Sequence, residues 1–239
     1  MNSPRSASVA LVTGANKGIG KEIARGLARL GMTVYLGSRN LERGTTAAGE
    51  LSQDGTVIPV QLDVTNRASV ERAASLIERD FTHLDVLVNN AGTNVGYQKP
   101  SEVTAEEFRT VYETNVFGVV TVTNIFLPLL LLSEAGRIVN VTSLRGSIGA
   151  DGAWVGQPSM PYSTSKTALN AITVHYAREL ANTRIKVNGA APGHVATDFN
   201  AFRGSRSPAE GAGIAIRLAI LDASGPSGGV FDDGGRLPW

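Results

Sequence analysis

The amino-acid sequence predicts an α/β fold, a doubly wound parallel sheet with helices on both faces, built as a single domain over 1–239. Short apolar segments alternate with amphipathic segments of helical period along the whole chain. A glycine-rich turn joins the first apolar segment to the first amphipathic one. The 239 residues, 42% of them hydrophobic, suffice for one large core, and no linker, repeat or low-complexity tract interrupts them.

The predicted strands are short apolar runs of the kind that a parallel sheet buries on both faces. They cover 9–13, 33–37, 57–62, 84–88, 137–142, 185–190 and 228–231. A sheet made of such strands needs a helix in most of the connections between them.

The predicted helices cover 21–30, 41–51, 66–79 and 104–132, a segment that begins at Pro161, and 207–221. Two of them carry capping boxes, in which Thr104 pairs with Glu107 and Ser207 with Glu210. Asn115 is a polar residue between apolar stretches of the long helix. Because a buried amide needs partners, it is either a hydrogen-bond hub or a site residue.

Composition excludes several classes of function. A net charge of +1 gives no electrostatic footprint for nucleic acid or an anionic membrane. The chain has no cysteine, which excludes disulfides, thiolate metal sites and a thiol nucleophile, and its three histidines are scattered, so we expect no metal. The polar N-terminus lacks a secretory apolar region, and the longest apolar run, 125–132, is too short to span a bilayer. We therefore expect a soluble cytoplasmic protein.

The glycine-rich turn reads Thr13-Gly14-Ala15-Asn16-Lys17-Gly18-Ile19-Gly20 and leads into the first predicted helix. In such a strand–turn–helix unit, backbone N–H groups and the helix N-terminus receive a pyrophosphate. The glycines permit positive φ and let a ligand approach the backbone closely. Three glycines alone could form only a tight turn, but the flanking strand and helix favour dinucleotide binding, as in Rossmann-type folds.

The second predicted strand ends in Ser38-Arg39-Asn40, without an acidic residue. An Asp or Glu near this point usually holds the ribose 2′-hydroxyl of NAD. Arg39 instead offers a planar fork for a 2′-phosphate, and Lys17 could supply a second positive charge. Exposed basic residues are common on any surface, but their position beside the missing acid favours NADPH/NADP+ as the coenzyme.

Tyr162 and Lys166 are four residues apart, so a helix places them on one face. A tyrosine hydroxyl with its ordinary pKa of about 10 is a poor acid or base at neutral pH. A neighbouring ammonium favours the phenolate and lowers that pKa. Any helix can carry this pair without a function, so its meaning depends on the rest of the chain.

Taken together, the motifs resemble the short-chain dehydrogenase/reductase family in order and spacing, over nearly the whole chain. The matching residues are Thr13, Gly14, Gly18, Gly20, Asp63, Asn89, Asn90, Ala91, Gly92, Asn115, Ser143, Tyr162, Lys166, Pro192 and Gly193. Within the family the chain looks most like the carbonyl reductases, because of Lys17 in the loop, Ser38-Arg39 after the second strand, and the compact tail from Ser207.

The resemblance implies a role for each catalytic residue. Tyr162 would give its proton to a carbonyl oxygen as hydride arrives from the nicotinamide, and Ser143 would hydrogen-bond the same oxygen. Lys166 would hold the nicotinamide ribose and lower the pKa of Tyr162, and Asn115 would anchor a water that relays protons.

The resemblance also implies the coenzyme contacts. Asp63 and Val64 would meet the adenine, Asn90 the ribose region, and Val195 and Thr197 the carboxamide and phosphate. The full implied set is Gly14, Asn16, Lys17, Gly18, Ile19, Gly20, Arg39, Asp63, Val64, Asn90, Ala91, Gly92, Tyr162, Lys166, Pro192, Gly193, Val195 and Thr197. The coenzyme-binding part would then cover about 9–142, and the catalytic and substrate part about 143–239.

Two departures from the family pattern concern the substrate. The gap between Ser143 and Tyr162 is longer than usual, and its extra material in 144–160 has the composition of a loop over the active site. Trp154 in this loop either lines the substrate site or packs against the body of the protein. The lid segment 194–206 is short, which predicts an open cleft. The oligomeric state stays open, because the longer loop could block the surface through which relatives pair.

These observations favour an NADPH-dependent carbonyl reductase acting on small-molecule ketones or aldehydes. Alternatives are an NADP-dependent alcohol dehydrogenase and a reductase of 3-oxoacyl groups on a carrier protein. A reductase of carrier-bound groups requires a basic patch to bind the carrier protein, and only Arg145, Arg203 and Arg206 could supply it. A non-catalytic NADP sensor is a further alternative, which the intact Ser143, Tyr162 and Lys166 disfavour.

Overall fold

The computed structural model describes residues 8–239, and eight strands in this part of the chain form one sheet. The strands are β1 Val9–Val12, β2 Thr33–Ser38, β3 Val57–Gln61, β4 Val86–Asn89, β5 Arg137–Val141, β6 Lys186–Ala190, β7 Val230–Asp232 and β8 Gly235–Arg236. Their order is β3-β2-β1-β4-β5-β6-β7-β8. The first seven strands are parallel, and β8, a two-residue strand absent from the prediction, runs antiparallel to β7. The predicted doubly wound sheet is confirmed.

Seven α-helices cover the two faces of the sheet within the described residues. They are α1 Gly18–Arg29, α2 Leu41–Glu50, α3 Arg67–Phe81, α4 Ala105–Tyr112, α5 Gly118–Leu131, α6 Met160–Glu179 and α7 Pro208–Ala219. Helices α1, α2 and α7 contribute to the hydrophobic core on one face, and α3, α5 and α6 to the core on the other. The alternation along β1 shows why two cores form, since Ala10 and Val12 enter the first and Val9 and Leu11 the second.

The long helix predicted at 104–132 is one continuous helix with a π-helical turn in its middle. Helix α4 passes into the π-turn Glu113–Phe117 and then into α5. The capping box between Thr104 and Glu107 is present at its start. A π-turn inserts extra backbone and re-aims the side chains around it, and Asn115 within this turn is fully buried. By length and composition alone this helix could span a membrane, but half of its most apolar window is buried inside the protein, as in a core helix.

The carboxyl ends of the parallel strands converge on one edge of the sheet. The glycine-rich turn follows β1, Asn90 follows β4, Thr142 and Ser143 follow β5, and Ala191 follows β6. The strand order reverses between β1 and β4, and ligands of such sheets bind in the crevice at this switch point. The fold therefore brings the predicted site residues to one edge.

Candidate active site

One large cavity, of about 890 Å³, opens at the carboxyl edge of the sheet. Every residue predicted to contact the coenzyme lines it, and so does Ser143. Of the predicted site residues only Asn115 and Trp154 lie outside its wall. In residues 8–239 no group of three or more His, Asp or Glu side chains is placed to hold a metal ion.

The glycine-rich turn is shaped by close backbone packing. Gly14 has φ +61°, and a Cβ there would lie 2.9 Å from the Cα of Ala91. A Cβ on Gly20 would lie 2.3 Å from Nδ2 of Asn90. That amide nitrogen donates to the carbonyl oxygens of Thr13 and Gly14, at 2.9 and 3.1 Å. Asn90, which the resemblance placed beside the ribose, therefore holds the turn that forms the floor of the cavity.

The N-terminus of α1 begins at Gly18, and its first turn contains no acidic side chain. The positive end of the helix dipole is thus open to an anion. Together with the backbone N–H groups of the glycine-rich turn, whose residues line the cavity, this arrangement fits a bound pyrophosphate.

The two cations expected at a 2′-phosphate differ in their surroundings. Arg39 lies exposed at the edge of the cavity, just after β2. Lys17 forms an ion pair with Asp198 of the lid segment. This pair was not predictable from the sequence, because its two members are far apart in the chain. Lys17 therefore already has an anionic partner, unlike the free cation that the prediction assumed.

Asn115 is a hydrogen-bond hub. Its Nδ2 donates to the carbonyl oxygen of Thr93 and to Oγ of Ser165, both at 3.0 Å, and its Oδ1 accepts from the Thr93 amide at 2.8 Å. Gly92 lies beside it, since a Cβ there would be 3.5 Å from Oδ1 of Asn115 and 3.7 Å from Nζ of Lys166. The hub thus fixes the segment after β4 against α6, directly behind the cavity wall.

Lys166 is buried, with 4% of its surface exposed, and its Nζ donates to the carbonyl oxygen of Val141 at 2.8 Å. Burial lowers the pKa of this ammonium to about 8, because a charge loses hydration when it leaves water. The Nζ atom lies 5.7 Å from the ring centroid of Tyr162, so both groups face the same part of the cavity.

The pKa of Tyr162 is raised in this structure, the opposite of the net lowering that the neighbouring ammonium predicted. Burial raises the pKa of the Tyr162 phenol, while the Ser143 hydroxyl and the Arg145 guanidinium act in the opposite direction. Desolvation dominates because the phenolate would be the charged form. In this structure the phenol therefore keeps its proton at neutral pH.

Ser143 reaches Tyr162 because the chain after β5 packs directly on α6. A Cβ on Gly146 would lie 2.7 Å from the carbonyl carbon of Lys166, so this contact requires glycine. Asn170 of α6 ties the segment down: its Nδ2 donates to the Gly146 carbonyl at 3.2 Å, and its Oδ1 accepts from Oγ1 of Thr142 at 2.6 Å. The short 3₁₀ turn Leu144–Gly146 is thereby held against the helix.

The loop of 144–160 lies over the active site as predicted, but Trp154 does not line the cavity. Its side chain is 70% exposed, so it neither reaches the substrate space nor packs into the body of the protein. Gly152, Val155 and Gly156 line the cavity instead. The neighbouring Ala153 is buried, with 4% of its surface exposed.

The lid segment 194–206 contains a single 3₁₀ turn, Asp198–Asn200, within the described structure. Phe199 in this turn packs on Tyr162, with ring centroids 5.3 Å apart and ring planes inclined at 57°. Phe199 was not among the predicted site residues, although it is one of two phenylalanines in the short lid. Its position beside the expected coenzyme contact Thr197 was the available signal.

The three arginines considered for a carrier-binding patch are not equivalent. Arg206 bonds the carbonyls of Pro192 and Glu210 and pairs with Asp233, so it holds the fold of the lid. Arg145 donates to two carbonyls of the loop over the active site. Arg203 alone is exposed. The three arginines therefore do not form the basic patch that binding of a carrier protein requires.

Comparison with known proteins identifies similar sequences and folds. The family model described as "short chain dehydrogenase" matches residues 8–207. "Short-chain dehydrogenase anuI" of Penicillium roqueforti is 38% identical over 220 residues, covering 87% of each chain. A 3-oxoacyl-[acyl-carrier-protein] reductase of Synechocystis is 36% identical over 199 residues, which cover 81% of this chain and 76% of the relative.

Solved structures agree with the sequence comparison. Salutaridine reductase of Papaver somniferum superposes with a TM-score of 0.83 at 32% identity, covering 95% of this chain and 99% of that one. A structure described as the "RhlG/NADP active-site complex" of Pseudomonas aeruginosa superposes with a TM-score of 0.83 at 29% identity, covering 96% and 95%.

Proposed function

The chain belongs to the short-chain dehydrogenase/reductase family of oxidoreductases, and we propose that it reduces the carbonyl group of small ketones or aldehydes with NADPH. The observation that carries the proposal is the grouping of Ser143, Tyr162 and Lys166 at the cavity that contains the glycine-rich turn. A hydride acceptor lying between the turn and Tyr162 would meet an acid, a hydroxyl donor and an ammonium within one cavity.

Tyr162 is the proposed general acid. The phenol is protonated at neutral pH, as an ordinary tyrosine is, and this form donates a proton to a carbonyl oxygen. The Ser143 hydroxyl and the Arg145 guanidinium, which act against the rise in its pKa, favour the phenolate that the transfer leaves. The Ser143 hydroxyl, close enough to act on the phenol, is placed to hydrogen-bond the same oxygen and stabilise its developing charge. NADPH, when bound, supplies the hydride that adds to the carbonyl carbon, so the product is an alcohol.

Lys166 and Asn115 have supporting roles in this proposal. A Lys166 ammonium at the cavity wall is placed to hold a ribose hydroxyl and to favour the phenolate that remains after proton transfer. Asn115 positions the backbone of Thr93 and the hydroxyl of Ser165. We propose that protons return to Tyr162 from solvent along this region through water that Asn115 orders.

The coenzyme preference for NADPH rests on Arg39. This guanidinium lies at the cavity edge after β2, where an acid would favour NAD. The described residues place no carboxylate in an ion pair with it, so its fork is available to a phosphate. The similarity to a protein whose structure is described as an NADP complex supports the same choice.

Two parts of the chain have different roles in the proposed enzyme. The coenzyme-binding part covers about 9–142, and the catalytic and substrate part about 143–239, with the contacts at Pro192, Gly193, Val195 and Thr197 contributed by the second part. The absence of cysteine is compatible with the reducing cytoplasm, where we place the enzyme.

Reduction of carrier-bound 3-oxoacyl groups is the second candidate, because one relative is named for that activity. The engaged state of Arg145 and Arg206 disfavours it. Aromatic side chains at the cavity, Tyr97 and Phe199, favour free ketones with apolar or aromatic groups, since such surfaces contribute about 25 cal/mol per Å² buried.

A panel of ketones, aldehydes and carrier-bound 3-oxoacyl groups, each assayed with NADPH and with NADH, tests the proposal. Loss of the reduced-nicotinamide absorbance measures turnover, and each candidate alcohol with NADP+ tests the reverse reaction. We expect free carbonyl compounds with NADPH to give the highest kcat/KM. Turnover only with the carrier-bound group would support the second candidate. Tight NADPH binding without turnover of any member would indicate a coenzyme sensor.

A further inference from the structure

The Arg145 side chain joins the beginning of the loop 144–160, which lies over the active site, to residues near its end. Its Nη1 donates to the carbonyl oxygen of Gln157 at 2.9 Å, and its Nη2 to that of Val155 at 3.0 Å. The guanidinium also lies over the Tyr97 ring, 6.0 Å from its centroid. One side chain thus connects three segments. They are the segment after Ser143, residues 155–158, which we call the far arm of the loop, and the cavity wall after β4, which includes Tyr97.

The loop needs such a connection because its own backbone is permissive. Gly152 and Gly156 adopt φ values of +81° and +88°, a region that glycine enters without strain. Val155 and Gln157 are exposed, so packing does little to hold this arm. The planar fork of an arginine can bond two carbonyls at once, which a lysine ammonium cannot reproduce in the same fixed geometry.

The far arm of the loop is also joined to the wall after β4. The backbone N–H of Gln98 donates to the Pro158 carbonyl at 3.2 Å. The Oγ atom of the buried Ser159 donates to Oδ1 of Asn94 and to the carbonyl oxygen of Gly96, both at 2.9 Å. These contacts lie at the base of the arm, next to α6. Arg145 is the contact nearer the tip, beside the cavity-lining residues Val155 and Gly156.

We propose that Arg145 is a positioning residue that sets the width of the substrate half of the cleft. This inference rests on the proposed function. By fixing Val155 and Gly156 opposite Tyr97, the guanidinium determines how large a ketone the cleft holds in a productive position. Releasing the arm widens the cleft, so compact ketones lose contact and bulky ketones enter more easily. Coenzyme binding does not depend on the arm, because the glycine-rich turn lies in another part of the cavity.

The test compares Arg145→Lys and Arg145→Met with the wild type on a series of ketones of increasing size. We expect KM for the smallest ketones to rise relative to the bulkiest by roughly tenfold, the equivalent of one hydrogen bond to a charged group. NADPH affinity should be unchanged. Arg72→Met, which removes an exposed arginine from α3, is the matched control and should behave as wild type. Equal losses for all ketones, or wild-type selectivity in both variants, would overturn the proposal.

A second measurement does not depend on turnover. The chain lacks cysteine, so a Trp154→Cys variant accepts a single spin label on the exposed tip of the loop. When this variant is combined with Arg145→Lys, which retains the positive charge, the label should become more mobile. Unchanged mobility would refute the positioning role, even if Arg145→Met fails to fold. If the wild type reduces no ketone at all, the proposed function fails, but the mobility result still decides whether Arg145 holds the loop.

Discussion

The ammonium of Lys17 in the glycine-rich turn forms an ion pair with the carboxylate of Asp198 in the lid. Both groups lie at the wall of the cavity, and the side chains are 60% and 47% exposed. The hydrogen bond from Lys17 lowers the pKa of Asp198 below its ordinary value. A coenzyme phosphate that uses Lys17 must therefore compete with the lid for this cation.

Asp198→Asn should tighten the binding of NADPH. Removing the carboxylate frees Lys17, and an exposed pair is worth at most about 1 kcal/mol, so the Kd should fall by up to about fivefold. The Kd of NADH, which lacks the 2′-phosphate, should change less. Calorimetric titration with both coenzymes measures the effect. Glu106→Gln removes one member of an exposed ion pair on α4 and is the control. Weaker NADPH binding in Asp198→Asn would show that the pair supports the site instead of competing with it.

Arg39→Asp should change the coenzyme preference. The substitution removes the fork proposed for the 2′-phosphate and adds an acceptor for a ribose hydroxyl. Since a hydrogen bond to a charged group is worth roughly 1.5–3 kcal/mol, the ratio of kcat/KM for NADPH over NADH should fall by about one to two powers of ten. An unchanged ratio would contradict the role of Arg39. Arg43→Asp on the exposed side of α2 controls for a general effect of charge.

The Rossmann-type sheet was predictable because its signals are local. Each strand is an apolar run, and the capping boxes at Thr104 and Ser207 mark helix starts that the structure confirms. The π-turn around Asn115 was not predictable, since it depends on partners from the segment after β4 and from α6. Strand β8 has only two residues, too few for any pattern.

Within the site, Ser143, Tyr162, Lys166 and the residues predicted to contact the coenzyme line the cavity, because most of them follow a strand or lie on α6. Asn115 lies behind the cavity wall, in the π-turn. The errors concern interactions between distant segments. Lys17 with Asp198 and Phe199 with Tyr162 join residues that no spacing rule relates. The direction of the Tyr162 pKa shift likewise depends on burial, which the spacing of Tyr162 and Lys166 does not reveal.

Phe199→Ala should alter substrate selection. The Phe199 ring packs on Tyr162 at the cavity, so its loss opens space beside the reacting oxygen. We expect higher KM values for aromatic ketones, by about tenfold if roughly 60 Å² of contact is lost. Trp154→Ala should leave selectivity as in the wild type, because this indole is exposed. Steady-state kinetics with aliphatic and aromatic ketones compares the two. A larger effect of Trp154→Ala would show that this residue lines the substrate site.

The stability of the free enzyme should depend on pH through Lys166. Its pKa is lowered from 10.5 to about 8 by burial, so the folded state binds this proton less tightly than the unfolded state. The resulting penalty is fully present below pH 8, and it disappears as the pH rises from about 8 to 10.5. The drop in pKa corresponds to about 3 kcal/mol.

Lys166→Met cannot titrate and serves as the reference for this effect. Between pH 8 and 10 the free energy of unfolding of the wild type should rise relative to that of Lys166→Met, as measured by urea denaturation. The raised pKa of Tyr162 acts in the other direction only above pH 10, where the unfolded tyrosine ionises first. A difference that stays constant from pH 7 to 10 would show that Lys166 titrates near its ordinary pKa.

In the proposed reaction Tyr162 donates the proton to the carbonyl oxygen. Tyr162→Phe keeps the ring that packs on Phe199 and removes only the hydroxyl, so the fold and the coenzyme site should survive. The decisive measurement is kcat/KM for the best ketone together with the Kd of NADPH, in wild type and Tyr162→Phe. We expect kcat/KM to fall by about 10²–10⁴-fold with little change in Kd, as for the loss of a positioned acid. If Tyr162→Phe retained more than about a tenth of wild-type activity, another group would have to supply the proton.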